Sequence, residues 1–228
     1  IRIILFFLSI SILSSAQENR NLLNHDEILK WNRVSETAMT DNGQFIVYTL
    51  NPWKGDPVLK IKNSKAKELL SIVGGKSPQF SPNSSFVVFT LNTLEKDLHQ
   101  LKLKKTKKED FPLSSLGIYD LTTRKLDTII DIKSYKIPSK GSDVIAYQVK
   151  LADDSTKKTK AKKRPLSLSI YNLATKNRQE FPSVSDYYFN KEGNVLLFAS
   201  EGEEKGFEAG LYKLDLRSNN LLNLFSGK

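Results

Sequence analysis

"MTDNGQFIVYTL", residues 39–50, sets a polar turn ahead of an apolar strand, and "FSPNSSFVVFTL", residues 80–91, repeats both features in the same order. Asn, Gly, Pro and Ser favour tight turns, whereas Phe-Ile-Val-Tyr and Phe-Val-Val-Phe suit a pleated, partly buried strand. Two further copies, "GSDVIAY" and "EGNVLLF", end at Tyr147 and Phe198, so the four strands close on Tyr48, Phe89, Tyr147 and Phe198. A second pattern follows each copy: "LKIKNSKAKELLSIV" from Leu59, "LGIYDLTTRKLDTII" from Leu116, "LSIYNLATKNRQEF" from Leu168 and "LYKLDLRSNNLLNLF" from Leu211. In each, an alternating strand ends at Asn63, Asp120, Asn172 or Asp215, a polar turn follows, and a short apolar run closes the unit.

The spacing makes this a repeat. Aromatic to aromatic the steps are 41, 58 and 51 residues. The distance from each aromatic to its turn residue is 15, 31, 25 and 17, so the middle units carry about 16 and 10 extra residues. Removing them leaves a period close to 41, within the range of propeller blades, which hold four strands in about 40 to 45 residues. One such sheet cannot cover both of its faces, and stacking blades around an axis solves that. The expected fold is therefore all-β, a β-propeller of about four blade-like repeats over residues 39–228, forming part of a larger propeller.

The formal charge of +10 invites a nucleic-acid reading, but its distribution removes it. Five lysines lie between Lys102 and Lys108 and six basic residues between Lys157 and Arg164, so two short runs hold eleven charges and the remainder sums to −1. Both runs fall inside the extra residues, near 92–115 and 150–165, where solvated loops leave the strands. No nucleic-acid partner is expected.

Arg2 precedes the apolar run Ile3–Leu13, and Ser14 and Ala16 stand at the −3 and −1 positions of a signal-peptidase site. Residues 1–16 read as a signal peptide whose apolar core, about 11 residues, is shorter than the roughly 20 a stable membrane anchor needs. The expected location is periplasmic or extracellular, with a helical lead-in over 17–38. The first residue is Ile and the only methionine is Met39, so the start is expected to be missing; the end at "LFSGK", directly after a strand-like run, predicts a cut there too. Cysteine is absent, which excludes disulfides, a thiol nucleophile and cysteine metal sites.

The segment "LNHDEILKWNRVSETAMTDNGQFIVYTLNP", then "FSPNSSFVVF", "SSLGIYDLTT", lysine-rich insertions and "LFSGK" together resemble the N-terminal propeller of exported bacterial serine peptidases of the prolyl oligopeptidase family. The resemblance covers nearly all of the chain after the signal peptide. It implies a further α/β-hydrolase domain carrying the Ser, Asp and His, with the propeller covering that site and restricting substrates to peptides. It also implies an acyl-serine mechanism without metal or organic cofactor.

No catalytic residue is assigned within these 228 residues. The nucleophile elbow needs G-x-S-x-G, which does not occur. His25 falls in a short helix capped by Asn24 with Glu27 three residues on, and His99 at the edge of the first lysine insertion. "GGKS" at Gly74–Ser77 lacks the upstream glycine of a phosphate loop, Leu70 standing there, and reads as a blade turn. Asn83 begins a formal glycosylation sequon in a surface turn. Glu201, Glu203 and Glu204 could face a cationic amine but read as a solvated turn, and Trp31 and Trp53 as packing around the first blade. Two functions stand: a non-catalytic, substrate-gating propeller of a serine-type peptidase, or a non-enzymatic TolB-like periplasmic propeller that binds protein partners.

Overall fold

A computed structural model describes residues 28, 31–150, 166–202 and 207–227. Blade 1 consists of β1 (Asn32–Met39), β2 (Phe45–Pro52), β3 (Val58–Asn63) and β4 (Glu68–Val73). Blade 2 opens with β5 (Gly75–Phe80), β6 (Phe86–Leu91) and β7 (Ser114–Asp120), with a nine-residue helix α1 (Glu95–Leu103) between the last two. Its fourth strand is the first half of β8 (Leu126–Lys136), which pairs with β7 up to Ile132. From Ile132 onward β8 pairs instead with β9 (Val144–Lys150), so one 11-residue strand closes blade 2 and opens blade 3. β10 (Leu166–Asn172) and β11 (Arg178–Phe181) complete blade 3. Blade 4 is β12 (Val184–Phe189), β13 (Val195–Ser200), β14 (Gly210–Asp215) and β15 (Asn220–Ser226). All pairs are antiparallel and follow chain order, the meander expected of propeller blades.

The echo is a repeated hydrogen-bond pattern. In the first turn the Thr40 hydroxyl donates to Asn42 Oδ1 at 2.8 Å and accepts the Phe45 N–H at 3.0 Å. In the second, the Ser81 hydroxyl donates to Asn83 Oδ1 at 2.8 Å and accepts the Phe86 N–H at 3.1 Å. Gly43 and Ser84 occupy the same left-handed position, φ 67° and 60°. The turns between third and fourth strands repeat fourfold: the Oδ1 atoms of Asn63, Asp120, Asn172 and Asp215 each accept two backbone N–H groups from the next few residues. These are Asx turns, in which a short side chain stands in for backbone.

Packing between blades supplies the core. Val47, Leu59 and Ile61 of blade 1 meet Val87, Phe89, Tyr119 and Leu121 of blade 2. Phe86, Val88, Leu116, Ile118 and Ile132 on the opposite face of blade 2 meet Ile145, Tyr147 and Leu173 of blade 3. Val144, Ala146, Leu168, Ile170 and Phe181 then meet Tyr187, Leu196, Phe198, Tyr212 and Leu214 of blade 4. The interior strand β6 is accordingly buried on both faces from Phe86 to Phe89, whereas β2 and β13 alternate. Gly117 lies opposite Phe89 in the β6–β7 pair, leaving room for the ring at the first of these interfaces.

Four expectations need correction or limitation. Residues 32–38, assigned above to a helical lead-in, lie in strand β1, because this segment pairs with β2 as the first strand of blade 1. Trp31 and Trp53 are 59% and 75% exposed rather than packed; they sit at the end of the β1–β2 pair, where the Trp53 N–H donates to the Trp31 carbonyl. The first lysine insertion is partly helical, with no buried residue in α1. The signal peptide, the rest of the lead-in and the 151–165 part of the second lysine insertion lie outside the described residues.

The Gly117→Ala variant would place a Cβ 2.5 Å from Phe89 Cε2, inside van der Waals contact with a fully buried ring. It should lose about 1–3 kcal/mol of stability in urea unfolding, with partial recovery when Phe89→Leu is added. A second outcome concerns acid. Burial alone raises the Asp120 carboxyl, but the N–H and hydroxyl of Thr123 and the N–H of Thr122 outweigh it and hold it below the usual carboxylate range. The N–H and hydroxyl of Ser218 hold Asp215 low as well. Stability from depressed carboxyls is complete above their unfolded pKa of about 4 and disappears as pH falls through the lower folded values. Thermal melts from pH 7 to pH 2 should show this loss, and the Asp120→Asn, Asp215→Asn double variant should flatten it, since Asn63 and Asn172 form the same turns uncharged.

Candidate functional site

The first strand of every blade is irregular. Register shifts interrupt β1 between Ser35 and Ala38, β5 between Lys76 and Gln79, β8 between Ile132 and Ser134, and β12 between Val184 and Asp186. Glu36 and Ser77 adopt positive φ within two of these bulges, and Asp131 and Ser183 just before the other two. A bulge re-aims side chains and strengthens twist, and bulges concentrate where strands meet a rim or a site.

Polar contacts join these four strands in series, placing them side by side around a common axis. Glu36 Oε2 accepts the Thr49 hydroxyl at 2.8 Å and the Ser77 N–H at 3.0 Å, linking blades 1 and 2. The Tyr135 hydroxyl donates to the Ser77 carbonyl at 2.7 Å, linking blades 2 and 3. Burial first, and the Glu36 carboxylate second, push the Tyr135 phenol well above its ordinary range. Between blades 3 and 4, Lys136 Nζ donates to the Tyr187 carbonyl, Gln148 Nε2 donates to the Val184 carbonyl at 2.7 Å, and the hydroxyls of Ser134 and Tyr187 lie 3.0 Å apart. Burial pushes the Tyr187 phenol up to about 12 against the opposing pull of Ser134.

Where three of these strands, β5, β8 and β12, end, they line a cleft of about 350 Å³. Gln79 comes from blade 2, Tyr135 and Lys136 from blade 3, and Tyr188 and Phe189 from blade 4; Ile137–Ser139 and Asn190–Lys191 form its rim. The Lys136 ammonium stands 3.8 Å from the Tyr188 ring centroid and 4.6 Å from that of Tyr187, close enough for cation–π attraction. Asp186 lies 3.8 Å from Lys136 Nζ. The Tyr188 hydroxyl, with the Tyr187 N–H, holds Asp186 below the usual carboxylate range. This arrangement offers a fixed cation, hydrogen-bonding groups and an apolar wall. A larger depression of about 630 Å³ on the open face of blade 1 is lined mainly by apolar residues such as Val34, Met39, Ile46 and Leu50, the kind of face another blade covers.

The residues singled out from sequence are not gathered here. His99 is exposed on α1, while His25, Glu203 and Glu204 lie outside the described residues. Gly74, at φ 83°, turns the chain from blade 1 into blade 2, and Gly75–Ser77 already belong to β5. Asn83 is exposed in its turn, and Glu201 is exposed at the end of β13. No group of three or more metal-ligating side chains occurs among the described residues. Nor is any described helix long and apolar enough to cross a membrane. The cleft residues escaped the sequence reading because they come from three repeats and no short motif joins them.

Neither a family model nor any curated protein matches the sequence. Solved structures do. The chain is similar to the β-propeller domain of the Trilobed protease from Pyrococcus furiosus, a propeller of open velcro topology, at 14% identity and TM-score 0.49, covering 86% of this chain and 58% of that one. It is similar to prolyl endopeptidases at 13% identity and TM-score 0.50, covering 86% of this chain and 30% of the other. TolB from Acinetobacter baumannii is matched at 12% identity and TM-score 0.42, over 86% and 44% of the two chains. Thus the chain spans about one third to three fifths of the lengths of these structures, and propellers of peptidases and of TolB are both matched. At these identities the likeness shows the β-propeller fold.

The Tyr135→Phe variant removes the one side-chain hydrogen bond described between the inner strands of blades 2 and 3. It should lower stability by about 0.5–1.5 kcal/mol in urea unfolding, with the slope of the transition unchanged.

Proposed function

We propose that this chain is the non-catalytic, substrate-gating propeller of an exported serine-type peptidase of the prolyl oligopeptidase family that acts on peptides. The observation that supports this most directly is the structural match to prolyl endopeptidases over 86% of the chain at TM-score 0.50. It agrees with the resemblance carried by residues 23–52, "FSPNSSFVVF" and "SSLGIYDLTT". In this reading the Ser, Asp and His are supplied by an α/β-hydrolase domain outside these 228 residues. The inner strands then surround the route by which an extended peptide reaches that domain, and the linked blades exclude bulkier folded chains. Export follows from the signal-peptide reading of residues 1–16, with a mature chain starting near Gln17.

The full product of the encoding gene should label with a fluorophosphonate, and changing the serine of a downstream G-x-S-x-G to Ala should abolish labelling. N-terminal sequencing of protein from the extracytoplasmic fraction should begin near Gln17. A gene that stops within a few tens of residues after Lys228, or a full product that takes no label, would overturn the peptidase reading in favour of a TolB-like binder.

A further inference from the structure

We propose that the axial cleft is a carboxylate-recognition site, selecting acidic peptides through the ammonium of Lys136. This deepens the peptidase reading by naming a substrate class, and rests on it only in treating the bound peptide as a substrate.

The argument begins with how Lys136 is held. A surface lysine normally loses considerable side-chain freedom on gripping a ligand. Here the side chain is already fixed: its ammonium lies over the Tyr188 and Tyr187 rings and donates to the Tyr187 carbonyl. The side chain is still 38% exposed, so the ammonium, with three donors, can reach a ligand in the cleft. Asp186 pairs with the ammonium at 3.8 Å and the Tyr187 carbonyl accepts from it, so two directions are taken and one of its three donors remains for a ligand.

The rest of the cleft has matching chemistry. Lys191 adds a second cation, and among the described residues no acidic side chain lines the space. Gln79 and Ser139 supply neutral hydrogen-bonding groups, while Ile137, Pro138 and Phe189 form an apolar wall for the stem of a Glu or Asp residue. A volume of about 350 Å³ suits one or two residues of an extended chain. Because the lining comes from three consecutive blades, the site sits on the axis and meets whatever enters from this rim. A neutral peptide would leave the ammonium's remaining donor without an anionic partner in the cleft.

The test is titration of this chain with acetyl-Gly-Glu-Gly-Glu-Gly-amide, compared with the same peptide carrying Gln for Glu, by NMR chemical shifts or calorimetry. The Glu peptide should bind and the Gln peptide should bind about tenfold more weakly or less. Lys136→Met should cause a similar loss, Lys136→Arg should restore most of the affinity, and Lys125→Met, on the outer β7–β8 turn, should leave it unchanged. Should Lys136→Met fail to fold by its melting curve, Lys191→Met, at the exposed rim, must itself weaken the Glu peptide. Equal binding of the two peptides, unchanged affinity in Lys136→Met, equal loss in Lys125→Met, or no binding at millimolar peptide would each overturn the proposal. Its failure is separate from that of the peptidase reading. Binding by a protein whose full product takes no fluorophosphonate keeps the cleft and removes the peptidase; labelling without binding does the reverse.

Discussion

A four-stranded antiparallel sheet has two faces, and if both are apolar neither can be covered from within the sheet. Everything else in this chain depends on that constraint. Blade 2 meets it on both sides: Val87 and Phe89 turn toward blade 1, and Phe86 and Val88 toward blade 3. Strand β6 therefore reads as a continuous apolar run, whereas β2 keeps the alternation of a strand whose second face has no neighbour among the described residues. Each interface buries several large side chains at roughly 25 cal/mol per Å² of apolar surface, far more than any single polar link between the inner strands contributes. The polar links between inner strands set alignment, and the apolar layers hold the blades together.

This division explains what could be read from the sequence. Turn chemistry is local, so the fourfold Asn63, Asp120, Asn172 and Asp215 pattern and the paired Thr40 and Ser81 turns are visible as short motifs with fixed spacing. The aromatic period is visible for the same reason. What the sequence hides is where one blade ends and the next begins. β8 runs unbroken through its change of partner at Ile132, marked only by a non-glycine residue, Asp131, in the left-handed region. The first strands hide likewise, because a bulge shifts the alternation that would otherwise announce them, as between Ser35 and Ala38 in β1. The exposed tryptophans mislead differently. Aromatic type argues for burial, but burial depends on a covering surface at the open end of the β1–β2 pair.

The cleft was illegible for a related reason. Gln79, Lys136 and Tyr188 occupy comparable places in three successive repeats, yet the repeats differ there, and repetition of structure is the only thing that brings them together. A reader of one strand sees "SYK" before a turn, which is ordinary. Only when blade 4 brings the Tyr187 carbonyl and the Tyr188 ring against blade 3 does Lys136 acquire a fixed position.

The two rims of the propeller are thereby separated in role. In a meander the first-to-second and third-to-fourth turns share one rim, and the second-to-third connections share the other with the crossings between blades. The extra residues after β6 leave at a second-to-third connection, and β9 and β10 are likewise the second and third strands of blade 3, whereas the cleft's rim residues Ile137–Ser139 and Asn190–Lys191 belong to first-to-second turns. Length can thus vary at one rim while the other keeps tight, register-fixing turns. The position of Lys136 relative to its partners is set across a blade interface, by Val144, Ala146 and Phe181 against Tyr187 and Phe198, rather than by its own strand. Any change that slides blade 4 on blade 3 would move the Tyr187 carbonyl and the Tyr188 ring together relative to the ammonium, so the geometry of the site is only as fixed as the apolar layer beneath it.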